Sequence, residues 1–257
     1  MKKLMVLSLI LLLLAACSSA EQAPTPIPTN TAAPPPTNTY TPIPPTETPI
    51  PTATVTPTYT ATPTEIPVFW DDFNSEFLPG WSWIRENDAL WSLDAEPGFL
   101  RIVLTADNPP RNLLVRDIKY QNFQIMTHVR FKPTSNFQFA GLLVYLDDKT
   151  MLGFGRAFCN LPNTCVGNGI YFDAVQNGKT VGGNFSTATP IQDEAYLRMD
   201  KNGTKFTGYY SDNGTDWIMI GEHELSMIDP KVGLIATNSH IVGMTAYFDY
   251  FTLVDIP

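Results

Sequence analysis

The sequence predicts an all-β domain over residues 68–257, a two-sheet antiparallel jelly-roll β-sandwich, and three observations predict it. Phe123, Ile125, Thr127, Val129 and Phe131 alternate with Gln124, Met126, His128 and Arg130, the period-two pattern of a strand with one buried face. Asn202-Gly203 and Asn213-Gly214 fall between β-rich runs, where a positive φ is demanded and Asn and Gly supply it at low cost. No segment sustains the apolar stripe of a helix. Many short strands with Gly and Asn punctuation are the signature of two packed sheets.

Taken from the N-terminus, the first element is an export signal at residues 1–16. Lys2 and Lys3 precede an apolar run over residues 4–14, followed by Ala15-Ala16-Cys17-Ser18, the pattern of a bacterial lipoprotein. A membrane span needs about 20 apolar residues, and this run is too short. Cys17 is therefore expected to become an acylated mature N-terminus, anchoring the protein to a lipid bilayer with the remainder exposed extracytoplasmically; two or three chains hold stably where one does not. Residues 17–67 form the second element. From residue 23 they are nearly all Pro and Thr, with recurring Thr-Pro-Ile-Pro phrases and almost no charge. Proline fixes φ and withholds donors, so the stretch builds no core and samples polyproline II. At about 3.1 Å per residue it would reach on the order of 100 Å as a stalk, glycosylated or bare.

The third element is the domain itself, long enough to bury a real core. Beyond residues 123–131, strand-like runs cover residues 100–104, 139–145, 151–158, 169–174, 195–199, 205–211, 217–220, 232–236 and 244–253. The chain carries 16 Lys plus Arg against 25 Asp plus Glu, a net charge of -9 with no basic run, so nucleic-acid binding lacks its electrostatic source. With Cys17 assigned to lipid, Cys159 and Cys165 remain, flanking Asn160-Leu161-Pro162-Asn163-Thr164. In an oxidising compartment a disulfide clipping this loop is the simplest outcome; free thiols or a metal pair are the alternatives, though metal ligation needs further Cys or His nearby.

Signals for catalysis are weak. His128, His223 and His240 stand singly, without ligand spacing, and no Gly-x-Ser-x-Gly occurs. Glu222-His223-Glu224 follows Gly221 beside a turn at Ser226 and reads as a solvated loop. Sugar binding is better supplied, because pyranose faces stack on aromatics while their hydroxyls seek Asp, Asn, Gln and Arg. Trp81, Trp83 and Trp91 lie close together with Arg85, Glu86, Asn87 and Asp88 among them, which makes Trp83, Arg85, Glu86 and Asn87 the candidate ligand-binding set. The competing reading is that these tryptophans fill the core, as Trp217 does on a hairpin's inner face.

Several phrases carry a resemblance. Asp71-Asp72-Phe73-Asn74, Trp81-Ser82-Trp83-Ile84-Arg85-Glu86-Asn87, Trp91-Ser92-Leu93 and Pro97-Gly98-Phe99-Leu100-Arg101-Ile102 resemble the opening of the concanavalin A-like domain at the C-terminus of bacterial β-xylosidases. Ala140-Gly141-Leu142-Leu143-Val144-Tyr145 with Asp147-Asp148, Tyr196-Leu197-Arg198-Met199, Tyr209-Tyr210-Ser211 with Gly214 and Trp217, and Ala246-Tyr247-Phe248-Asp249-Tyr250-Phe251 continue it in order. The resemblance implies a lectin/glucanase-type sandwich that offers sugars a sheet face or edge loops. It implies no catalytic residues here: in those xylosidases the hydrolytic carboxylates belong to a preceding propeller, whose place is taken by the stalk. The Glu-x-Asp-x-x-Glu strand of jelly-roll glucanases, which sets two carboxylates about 5 to 5.5 Å apart for a retaining mechanism, is also missing. By analogy with related sandwiches, Asp71 or Asp72, Asp249 and the Gly98 carbonyl would hold a structural Ca²⁺, a hard cation that takes 6 to 8 oxygen ligands. The expectation is a non-catalytic carbohydrate-recognition lipoprotein for plant-type β-glycans such as xylan, with a cryptic glycoside hydrolase and a protein-adhesion or assembly module as competitors.

Overall fold

The computed structural model describes residues 67–256 apart from 184, 190–192 and 238–242. Cys17, the Pro/Thr segment up to residue 66 and His240 lie outside the described residues. Among the described residues sixteen strands follow one another: β1 (Phe69–Asp71), β2 (Trp81–Ile84), β3 (Trp91–Ser92), β4 (Leu100–Val103), β5 (Leu113–Asp117), β6 (Phe123–Arg130), β7 (Phe139–Asp147) and β8 (Thr150–Cys159) form the first half. The second half comprises β9 (Gly167–Gln176), β10 (Lys179–Thr180), β11 (Phe185–Ala188), β12 (Glu194–Asn202), β13 (Lys205–Ser211), β14 (Ile218–Glu224), β15 (Lys231–Thr237) and β16 (Thr245–Asp255). One 3-10 turn, Asp88–Leu90, interrupts them.

Two eight-stranded antiparallel sheets result, which is the predicted sandwich. The first sheet runs β14-β13-β12-β6-β16-β4-β3, with β1 beside β16; the second runs β10-β9-β8-β7-β15-β5-β2, with β11 beside β9. The alternation read from β6 is realised: Phe123, Ile125, Thr127 and Val129 face inward and are fully buried. Phe123, Ile125 and Val129 meet Leu197 and Met199 of β12, Phe248 and Leu253 of β16, and Leu142, Phe154, Phe172 and Leu234 from the facing sheet in one continuous core. Each such side chain contributes roughly 1.5 to 3 kcal/mol by leaving water. Where β12 turns into β13, Gly203 takes φ +59°, as the Asn-Gly signal requires.

The second sheet is less regular in sequence because its outer face is apolar too. Leu113, Val115, Leu143, Tyr145 and Ile235 form a separate buried cluster there, joined by Ile84, Phe139 and Met151. A strand buried on both faces loses its alternation, and so the run Leu113-Leu114-Val115 of β5 carries no period-two signature. Between β7 and β8, Gly141 opposes Gly155. A Cβ on Gly141 would stand 2.2 Å from the Phe154 carbonyl oxygen, so only glycine permits this approach.

Two local expectations change. Glu222-His223-Glu224 is not a loop but the end of β14: His223 points inward and is buried, while both glutamates face out, Glu222 on Lys205 and Glu224 on Thr204. Gly221 is required in the strand, because a Cβ there would meet the Phe185 ring at 2.2 Å. Trp217 precedes β14 half-buried rather than lining the core. Cys159 and Cys165 do form a disulfide, with Cα atoms 5.3 Å apart, clipping the loop between β8 and β9.

Candidate functional site

Strand alternation on the first sheet builds a polar, aromatic outer face. On β1, Phe69 packs on the core and Asp71 is buried, so Trp70 between them is turned out and 60% exposed, beside Thr252 of β16. The neighbouring cross-strand row holds Tyr250 of β16, His128 of β6 and Tyr196 of β12; the next holds Arg101, Tyr247, Arg130 and Glu194. The β16 register slips between Phe248 and Tyr250, and this bulge sets Asp249 against His128. His128 is 7% exposed: its ring stacks on Tyr196 at 4.2 Å, its Nδ1 lies 3.1 Å from Asp249 and its Nε2 3.5 Å from Glu194. Both carboxylates are half-exposed.

Charged groups around this row are held in place. Arg130 lies over Phe99 at 4.2 Å and Tyr247 at 5.2 Å, with Glu96 on its guanidinium. Arg198 spans Asp200 and the Tyr209 ring. Burial, with smaller contributions from Tyr196 and Asp249, pushes the Tyr250 hydroxyl up to about 12. Two atoms on this face, Arg101 Nε and Thr252 Oγ1, are buried without a hydrogen-bond partner among the described residues, while His128 Nε2 has Glu194 at 3.5 Å. Each such atom costs about 1 to 3 kcal/mol.

The residues singled out for sugar binding lie elsewhere, at the β2 edge of the second sheet, and the structure occupies each of them. Trp83 packs against the core with Phe77 at 5.8 Å and Trp91 at 5.1 Å. Arg85, at φ +54°, donates from Nε to the Pro110 carbonyl and faces the Asp148 carboxylate at 2.9 and 3.0 Å. Glu86 accepts from Trp91 Nε1, and Asn87 caps the 3-10 turn while exchanging hydrogen bonds with Asn112. Trp70 was the residue missed. Its signal lay in the sequence: if Phe69 and Asp71 face in, the tryptophan between them faces out.

The calcium set does not fit a cation. Asp71 is 1% exposed, and its carboxylate accepts from the backbone N–H of Phe73 at 2.9 Å, that of Leu78 at 3.0 Å and Trp81 Nε1 at 2.7 Å. Arg116, stacked over Phe69 at 3.1 Å, adds positive charge beside it; burial lowers the Arg116 pKa and the charge of Asp71 partly restores it. Donors and a guanidinium thus stand where a metal would approach. Asp72 instead accepts from Asn74, next to which Gly98 sits, and Asp249 serves His128. Among the described residues no three His, Cys, Asp or Glu side chains converge as a metal site.

Residues 70–253 match the family model of the β-xylosidase C-terminal concanavalin A-like domain. A xylan 1,3-β-xylosidase from a Vibrio species is 27% identical over 158 residues, 59% of this chain and 28% of that enzyme. A GH43 protein from Bacillus licheniformis superimposes with a TM-score of 0.64 at 22% identity, covering 73% of this chain and 39% of that one. The xylan β-1,4-xylosidase from Bacillus halodurans gives 0.63 at 18% identity, covering 77% and 41%. The chain therefore spans well under half the length of these relatives.

Proposed function

The chain belongs to the β-xylosidase C-terminal concanavalin A-like domain family, and from that membership we propose that it is a non-catalytic carbohydrate-recognition module for plant-type β-glycans such as xylan. The observation that carries this reading is the outer face of the first sheet, where exposed Trp70 shares a surface with the half-exposed carboxylates of Asp249 and Glu194 that flank His128. An indole face stacks on a sugar ring, and fixed polar atoms read its hydroxyls. The relative named a xylan 1,3-β-xylosidase directs the choice of sugar to xylans. In this reading the module is anchored in a bacterial cell envelope by lipid on Cys17, exposed extracytoplasmically, with the Pro/Thr segment as its tether.

A glycan array probed with the full chain tests this, with reducing-sugar assays run in parallel. Binding to xylans without sugar release supports the module. The hydrolase alternative rests on Glu194 and Asp249, which flank His128 on opposite ring nitrogens; release of sugar, abolished by Glu194→Gln, would establish it instead. A blank array with a normally folded protein would favour the protein-adhesion alternative.

A further inference from the structure

The outer face of the second sheet contains a cavity of about 360 Å³ that the glycan-binding face does not use. Its floor is Gly153 of β8, which lies between Leu143 of β7 and Asp173 of β9 in one cross-strand row and sends no side chain into the space. Phe139, Met151 and Tyr171 form apolar walls. The remaining wall is the loop closed by the Cys159–Cys165 disulfide, from which Leu161, itself 40% exposed, lines the cavity. Phe137 stands at the rim with φ +70°, a conformation that costs a bulky residue energy and that the surrounding structure must hold.

The polar groups of this cavity are mostly satisfied from within. Gln138 accepts from the backbone N–H groups of Thr134 and Ser135, the Tyr171 hydroxyl donates to the Gly167 carbonyl, and Thr164 donates to the Pro162 carbonyl. Asp173 differs. Among the described residues its carboxylate has neither a hydrogen bond nor an ion pair, although it lines a space whose other surfaces are largely carbon. We propose that this cavity binds a small apolar molecule carrying a protonated amine, its aromatic or short aliphatic body against Phe139, Leu143 and Met151 and its ammonium on Asp173. The size falls within the range of about 300 to 1,000 Å³ common for small-molecule sites, and the composition follows their pattern of apolar walls with one orienting polar group. Asp173 is open to solvent at the mouth yet crowded by those walls, which push its carboxyl above the ordinary value, with His223 the opposing influence. A bound cation would relieve that penalty; a bound anion would increase it.

Calorimetric titration of the full chain with 4-phenylbutylamine and 4-phenylbutyrate, which share an apolar body and differ in head charge, isolates the claim. The amine should bind about tenfold more tightly or better, the equivalent of one charge contact near a surface. Asp173→Asn should remove that preference while leaving residual binding of both compounds, and Asp173→Lys should reverse it. Reduction of the disulfide, which frees the Leu161 wall, should weaken both. Equal binding of the two compounds to the unmodified protein, or no saturable binding of either, would overturn the proposal. Because Asp173 lies on the opposite sheet, a failure here leaves xylan binding unaffected, and the reverse holds as well.

Discussion

Replacing Asp71 with alanine separates its two possible roles, metal ligand or internal acceptor. The side chain is buried and receives three hydrogen bonds, from Phe73 N, Leu78 N and Trp81 Nε1. Hydrogen bonds to a charged group contribute about 1.5 to 3 kcal/mol each, and a donor left buried without an acceptor costs about 1 to 3 kcal/mol. Some of this loss is recovered as water enters the vacated volume, so a net destabilisation of about 3 to 5 kcal/mol is expected, at the upper end for a single substitution. For a domain of this size about 1 kcal/mol moves Tm by roughly 2 to 4 °C, placing the shift at roughly 6 to 20 °C. Thermal melts of wild type and Asp71→Ala, followed by circular dichroism with calcium and with chelator, read it directly. Stabilisation by a bound metal would depend on free metal through mass action, whereas stabilisation by N–H donors does not. The expected result is a large shift that is the same in both buffers. A chelator-induced drop in wild type that matches the mutational shift, and disappears in the variant, would refute the donor assignment and restore calcium.

Three further outcomes follow. Trp83→Ala should cost about 2 to 4 kcal/mol, because a half-buried indole is lost from the Phe77 and Trp91 cluster, and xylan affinity should be unchanged in the fraction still folded; denaturant unfolding and a binding assay check the two halves. Tyr250 titrates near 12 in the folded protein against about 10 unfolded, so its contribution is fully present below pH 10 and is lost as pH rises toward 12, a total of roughly 2 to 3 kcal/mol. Urea midpoints measured across that window should fall less steeply for Tyr250→Phe than for wild type. Cys17→Ser should move the protein out of the membrane fraction and abolish incorporation of labelled palmitate; retention of the variant in the membrane would contradict lipid anchoring.

The legible part of the fold was wherever one face of a strand met water. β12 alternates cleanly, with Arg198 and Asp200 on its outer face, and β6 alternates in residue type, with Arg130 outward although His128 is covered by its neighbours; the Asn202-Gly203 turn fixes the adjacent strand β13. β1, β2 and β5 were harder to see, being short or, in β5, apolar on both sides. The candidate site was less legible than the fold. Tryptophan density drew attention to Trp83, yet density measures supply and not direction, and three-dimensional packing turned that ring toward Phe77 and Trp91 while turning Trp70 to solvent. Nor could sequence spacing show Asp249 reaching His128, since the bulge after Phe248 that joins them depends on pairing between strands far apart in the chain. Asp71 and Asp249 looked equivalent as carboxylates near strands; one proved to be an internal acceptor and the other part of an outer-face row.

The most direct test of the glycan-recognition account is titration of the full chain with a linear xylo-oligosaccharide, comparing wild type with Trp70→Ala. Trp70 is 60% exposed, so its truncation should leave Tm within about 1 °C, as expected for a surface substitution away from structural features. Loss of the stacking ring should nevertheless weaken binding about tenfold or more, the effect of removing an aromatic anchor. Saturable binding in wild type that falls by that amount in the variant is the predicted result. Binding unchanged by Trp70→Ala, or no binding to wild type at all, would contradict the assignment of this face as the sugar site.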